Sequence, residues 1–294
     1  MSLKLVLGSL LIAGFLAMGC GDDGGNGGTT DVPAETTPTP DVPADTTPTP
    51  DTPTETPPTE VPADLPPVET EPFTGTIIEF GSNPPAAIAD ADVVLLDDAG
   101  QPTATAVKSG ADGKVTIQIP KGKPAGFKVS KAGNKNTYQF GLTPSADGET
   151  LWIVTETLYN LAPAMAGLVL HKDAGGKFDK GIVAGSIYWV NPADSKEQHV
   201  GCAKVSTDMG GDARYFDPTT GFPATLAKAP TTSKNLGYFL VANIDPGKTK
   251  VTAKLDPAGT EIGSVDIYSY ADAICINNIY ATGAANPTPA DCPR

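Results

Sequence analysis

Histidine and tryptophan are scarce here, with two of each in 294 residues, and there are only four cysteines. So few metal-capable and acid–base-capable side chains leave little from which to assemble a reaction site. His199 stands three residues before Cys202, but zinc needs three or four ligands, and no second pair stands at a suitable spacing. His171 has no such neighbour at all. Neither a His-Glu-x-x-His helix motif nor a Gly-x-Ser-x-Gly elbow occurs. Gly247-Lys248-Thr249 imitates the end of a phosphate loop, yet that motif's first glycine would fall at Ala242, and strand-like residues flank it. Asp208, Asp212 and Asp217 lack the alternation of a calcium loop. From these absences the sequence predicts no enzyme, no cofactor and no metal site.

Positive charge is missing where negative charge is dense. Residues 21–72 hold twelve acidic side chains and no Lys or Arg. The formal charge of −14 therefore divides as +1 over residues 1–20, −12 over residues 21–72 and −3 over residues 73–294. Phosphate backbones are bound through Lys and Arg, so nucleic acid is excluded as a partner.

Long apolar runs are absent beyond the first twenty residues. Met1 to Lys4 is a short basic stretch, and Leu5 to Met18 is an apolar run with signal-peptide proportions, too short for a comfortable membrane span. It ends Leu16-Ala17-Met18-Gly19-Cys20, and Gly21-Asp22-Asp23 turns polar at once. This resembles the bacterial lipobox, with Ala17 where Leu is usual and Leu16 one place further back. The resemblance implies that Cys20 is acylated and becomes the mature N-terminus, giving a lipid-anchored protein of the cell envelope. Gly21, rather than Asp, after the cysteine implies the outer membrane by family habit and leaves the face open. Several acyl chains hold a protein far more firmly than one.

Residues 31–40 (Asp-Val-Pro-Ala-Glu-Thr-Thr-Pro-Thr-Pro) recur as 41–50, with Asp45 in place of Glu35. The pattern then decays to Pro72. Frequent proline, few apolar residues and like charges predict a disordered, extended Pro/Thr/Asp-rich stalk over residues 21–72. Fifty residues near full polyproline extension reach on the order of 150 Å.

From Phe73 the pattern becomes short apolar alternations cut by turns, which predicts an all-β fold. Strands are expected at Gly75 to Ile78, Ala91 to Leu96, Lys114 to Ile119, Phe127 to Ser130, Thr137 to Phe140 and Leu151 to Thr155. Asp112-Gly113 marks a tight turn, since glycine takes positive φ without a Cβ clash. The order Thr74-Gly75-Thr76-Ile77, then Ala91 to Leu96, then Asp112-Gly113-Lys114-Val115, then Val129 to Gly133 is similar to the carboxypeptidase-regulatory-like family. That resemblance covers residues 73–157 and implies a small transthyretin-like, Ig-like β-sandwich; Asn134 stands after Gly133 where the family usually has Tyr.

Leu161, Met165, Leu168 and Val169 have near-helical spacing and predict a short helix. A second round of strands follows, from Gly181 to Val190 through Gly263 to Ile279. Ser109, Gly113 and Val115 are echoed by Ser233, Gly237 and Phe239, an internal repeat that predicts a second sandwich over residues 158–294.

Three thiols remain besides Cys20: Cys202, Cys275 and Cys292. A bridge from Cys292 to Cys202 or Cys275 would pin the Pro-rich tail, and the sequence leans to Cys202 while leaving the choice open. Trp152, Trp189, Tyr188, Tyr215 and Phe216 are candidates for a ligand-stacking surface, although aromatic residues also fill sandwich cores. The function read from all this is a non-enzymatic lipoprotein, held to a membrane by its N-terminal lipid. It displays β-sandwiches that bind an unknown protein or glycan for adhesion or scaffolding. The alternative is a carbohydrate-binding lipoprotein that uses exposed aromatics on a sheet face.

Overall fold

A computed structural model describes residues 69–103 and 106–292; the apolar leader, Cys20 and the repeats of the stalk lie outside the described residues. The first eight strands are β1 (Thr70–Glu79), β2 (Asp92–Leu96), β3 (Val107–Lys108), β4 (Lys114–Pro120), β5 (Ala125–Ser130), β6 (Asn134–Lys135), β7 (Thr137–Leu142) and β8 (Glu149–Thr155). Alternation places them. In β4, Val115, Ile117 and Ile119 point inward between exposed Lys114, Thr116 and Gln118. β5 does the same with Ala125, Phe127 and Val129. One sheet runs β4-β1-β8-β6, and β2, β5 and β7 face it. Phe73 and Phe127 meet across the gap with ring centroids 4.4 Å apart. Burying each such side chain contributes about 1.5–3 kcal/mol.

Strand β1 begins three residues before the expected boundary at Phe73, because the end of the stalk sequence is hydrogen-bonded. Pro72 lies opposite Gln118 of β4, whereas pairing with β8 starts only at Gly75. At Pro72 the strand therefore has a neighbour on one side only, where a missing N–H costs nothing.

Helix α1 (Glu156–Met165) follows directly, with Thr155 as its N-cap accepting from the Leu158 N–H. The expected helix is present, but most of the residues whose spacing marks it do not form its packed face. Leu161, Met165 and Val169 are exposed, the last to 87%, while Tyr159 and Pro163 face the core. Only Leu168 of the four is buried. The face that packs is chosen by the aromatic residue that meets Phe178, not by the aliphatic spacing.

The remaining strands are β9 (Gly181–Val190), β10 (Glu197–His199), β11 (Ala203–Thr207), β12 (Asp212–Phe216), β13 (Pro223–Ala224), β14 (Tyr238–Ile244), β15 (Gly247–Leu255), β16 (Glu261–Ser269), β17 (Ile274–Ile276) and β18 (Ile279–Ala281). β9 reads as an apolar run broken only by Ser186 because it is covered on both faces. Val183, Ile187 and Trp189 enter one core cluster; Ile182 and Ala184 enter another. Strands β11, β15 and β16 form a separate antiparallel sheet.

Hydrogen bonding does not stop at residues 157 and 158, where the sequence puts the boundary between two sandwiches. The large sheet runs β13-β12-β14-β9-β17-β7-β5-β2-β3. Its joint is β17, a C-terminal strand parallel to both neighbours: Ile274 lies opposite Thr137 of β7 and Ile182 of β9. Tyr138 and Tyr270 stack across this joint at 3.8 Å, and the Lys135 ammonium bonds the Asp272 carboxylate at 2.7 Å. The repeated glycines both precede a strand: Gly113 leads into β4 and Gly237 into β14, each with positive φ.

Cys202 and Cys292 form a disulfide with Cα atoms 5.7 Å apart, pinning the tail across 90 residues. Gly201 allows the approach, since a Cβ there would sit 2.7 Å from the Cys292 Sγ. The Thr288 hydroxyl accepts from the Gly201 N–H and ties the same tail a second time.

Candidate functional site

The joint leaves a cavity. β17 is three residues long, and after Asn277 and Asn278 the chain resumes as β18, which pairs with β9 alone, so beyond Ile276 no strand bridges β9 to β7. Two side chains take over the missing ladder. The Asn277 amide donates to the Phe140 carbonyl at 2.8 Å, and its oxygen accepts from the Phe140 N–H at 3.3 Å. The Asn278 oxygen accepts from the Ser186 N–H at 3.1 Å. Backbone groups on both rims are thus satisfied without a strand between them. Gly185 makes the approach possible, because a Cβ there would collide with the Asn277 carbonyl.

The space that remains is about 270 Å³. Its walls are aromatic. Phe80 and Trp152 meet edge to face at 5.5 Å, Phe216 and Tyr238 do so at 5.6 Å, and Phe140 and Tyr280 complete the lining. Gln139 also faces it, but the Gln139 oxygen accepts from the Trp152 N–H at 2.6 Å and its amide donates to the Thr150 carbonyl. No carboxylate, imidazole, ammonium or thiol lines the cavity. Such a lining binds apolar surface, and its polar side chains are amides and hydroxyls.

Titratable groups lie just behind the walls. The Tyr280 ring is 48% exposed, and its hydroxyl bonds a Glu197 carboxylate oxygen at 3.0 Å. Burial raises the Glu197 pKa above the usual carboxylate range. His199 stacks on Tyr188 at 4.8 Å and meets Tyr238 edge-on at 5.4 Å. Its Nδ1 is buried without a hydrogen-bond partner, and desolvation pulls its pKa down to about 4.

Of the five aromatics expected to form a stacking surface, Trp152 and Phe216 reach this cavity. Trp189 is 6% exposed and donates its Nε1–H to the Gly283 carbonyl. Tyr188 is 6% exposed beneath His199, and Tyr215 is 2% exposed, with its hydroxyl accepting from the Val205 N–H at 2.8 Å. The stacking surface is therefore corrected: three of its members are core. β9 is covered on both faces, so neither parity of its side chains reaches water, and Tyr215 on β12 points into the same core.

Cys275 is buried, donates to the Tyr268 carbonyl at 3.0 Å, and has its thiol pKa pushed up by desolvation. Cys202 is in the disulfide and so is no partner for His199. Asp208 accepts from Thr249 and Lys250, Asp212 from the Asn243 amide and Asp217 from the Thr219 N–H, each in its own local structure. Among the described residues, no group of three or more His, Cys, Asp or Glu side chains could hold a metal ion. Sequence reasoning found Trp152 and Phe216 but missed Phe80, Phe140, Tyr238, Tyr280 and the two asparagines. The one available signal was Asn277-Asn278, two polar residues interrupting an apolar strand run.

No protein-family model matches the chain, and no curated protein matches it. Solved structures similar to it include the shaft pilin SpaA of Lactobacillus rhamnosus GG, at 11% identity over 73% of this chain and 99% of that chain, with a TM-score of 0.23. The minor pilin GBS52 of Streptococcus agalactiae is similar at 11% identity over 76% of this chain and 100% of that one, with a TM-score of 0.22. The D0–D1 domain of Intimin is similar at 13% identity, covering 62% and 83%, with a TM-score of 0.19. These neighbours are β-rich, as this chain is, and at such identities and scores the likeness says nothing about function.

Proposed function

We propose that this chain is a non-enzymatic lipoprotein of the cell envelope, tethered through Cys20 and built to bind a partner for adhesion or scaffolding. The observation that carries the binding reading is the cavity at the joint, with aromatic walls and no acid, base or nucleophile beyond hydroxyl groups. The tethering reading rests on the sequence alone: the apolar leader ending at Cys20 and the acidic, Pro-rich repeats that follow. The lipid fixes the chain to the outer membrane, and the repeats act as a spacer that lifts the β-rich body away from it. The order of strands over residues 73–157 supports kinship with carboxypeptidase-regulatory-like sandwiches.

The test is Cys20→Ser expressed in a Gram-negative host. The unaltered protein partitions with membranes, and its N-terminal peptide carries the mass of the acyl chains. The variant is soluble and lacks that mass. A variant that still partitions with membranes overturns the anchor.

A further inference from the structure

We infer that the slot beside Asn277 and Asn278 is a ligand site for a neutral, flat compound of one or two fused rings carrying few hydroxyl-type substituents. This deepens the binding reading above and rests on it.

Size comes first. About 270 Å³ exceeds the roughly 150 Å³ apolar cavity that accepts benzene and falls just below the usual range of drug-sized pockets. One or two rings fit. Shape follows from the walls: the two edge-to-face pairs, Phe80 with Trp152 and Phe216 with Tyr238, present both faces and edges around the slot. Those are the geometries in which a further aromatic ring packs well.

Polarity narrows the class. A sugar loses water from every hydroxyl, and each needs a partner in the site. Asn277 and Gln139 are poorly placed to serve, since the oxygen and the nitrogen of each amide already bond backbone. Three other polar groups belong to lining residues and make no hydrogen bond among the described residues: the Tyr238 hydroxyl, the Ser186 hydroxyl and the Asn278 amide nitrogen. They are fewer than the hydroxyls of a sugar ring, and each can meet one substituent on the ligand.

The test uses the full chain carrying Cys20→Ser, in buffer free of detergent, which would itself compete for an apolar slot. The probes are 2-naphthol, naphthalene-free toluene, methyl β-glucoside and cellobiose, followed by calorimetry and by ¹⁹F resonances of 5-fluorotryptophan. With only two tryptophans the assignment is simple: Trp152 lines the slot, while Trp189 is buried away from it. The expected result is saturable binding of 2-naphthol that shifts the Trp152 resonance and leaves Trp189 in place, with no response to either sugar. Tyr238→Phe weakens 2-naphthol by about threefold to tenfold and leaves toluene unchanged. Val265→Trp fills the slot from β16 without altering its aromatic walls and abolishes both. Absence of binding, a shift at Trp189, or tighter binding of a sugar overturns the inference. So does unchanged binding in a Val265→Trp protein that melts like its parent. None of these outcomes bears on membrane partitioning, so failure here is separable from failure of the anchor.

Discussion

The part of the chain before helix α1 and the part after it solve the same problem differently. In the first, β4 and β5 alternate residue by residue, and two facing sheets bury one apolar layer around Phe73 and Phe127. In the second, β9 is apolar but for Ser186 and carries core on both faces, and a disulfide between Cys202 and Cys292 pins the C-terminal tail. The two are then joined by a strand, β17, taken from the far end of the sequence. A sandwich can be closed by local alternation alone; a sheet with a doubly covered central strand needs partners from elsewhere. The second part lends its C-terminal strand to the first, and the cavity sits where that loan runs out.

The sharpest test of this difference is whether the two parts unfold together. Phe127→Ala removes a fully buried ring from the first part and should cost about 4 kcal/mol. With β17 coupling the halves, chemical denaturation followed by Trp152 and Trp189 emission shows one transition moved to lower denaturant. Two separate transitions, with that of Trp189 unmoved, would show that the halves are independent. Cys202→Ser should lower stability by about 3 kcal/mol, mainly by freeing the tail in the unfolded chain, and reducing agent should mimic it. Insensitivity of the midpoint to reductant would sink that account.

Asn277→Ala acts on the joint itself. It leaves the Phe140 N–H and carbonyl without partners and should cost about 2–3 kcal/mol, the range for orphaned buried groups. Hydrogen exchange at the Phe140 amide should accelerate along with it, and an unchanged rate would remove the strand-substitute role. The smallest effect is set by pH. His199 is held at a pKa of about 4, below its unfolded value near 6.5, so the folded state binds its proton more weakly. Its contribution is complete above pH 6.5 and is lost as pH falls towards 4. Stability should drop by about 2 kcal/mol from pH 7 to pH 5 through this residue. His199→Gln should flatten that slope; an equal slope in the variant would point to other groups.

Much of the first part was legible in the residues. Lys114 to Ile119 alternate one by one, and Asp112-Gly113 before them turns the chain with Gly113 at φ +76°. Gly181 to Val190 also announced itself as a strand, matching β9 end to end. Its surroundings did not. A run without alternation does not say which face meets which core, so Tyr188 and Trp189 could be taken for surface aromatics although both are buried. The helix shows the same limit, since the spacing of Leu161 and Met165 marks a helix without saying which face packs, and the burial of Tyr159 leaves both exposed.

The sequence by itself determined the all-β class, the positions of most strands, the scarcity of reactive side chains and the acidic repeats, because each is written in neighbouring residues or in composition. Tertiary structure alone decided that β17 joins the halves, that Cys292 meets Cys202 and that eight strands converge on one aromatic slot. Phe140 and Asn277 bond across 137 residues of chain. Pairing over such distances depends on which surfaces remain unfilled after the local strands have formed, and no window of neighbouring residues records that.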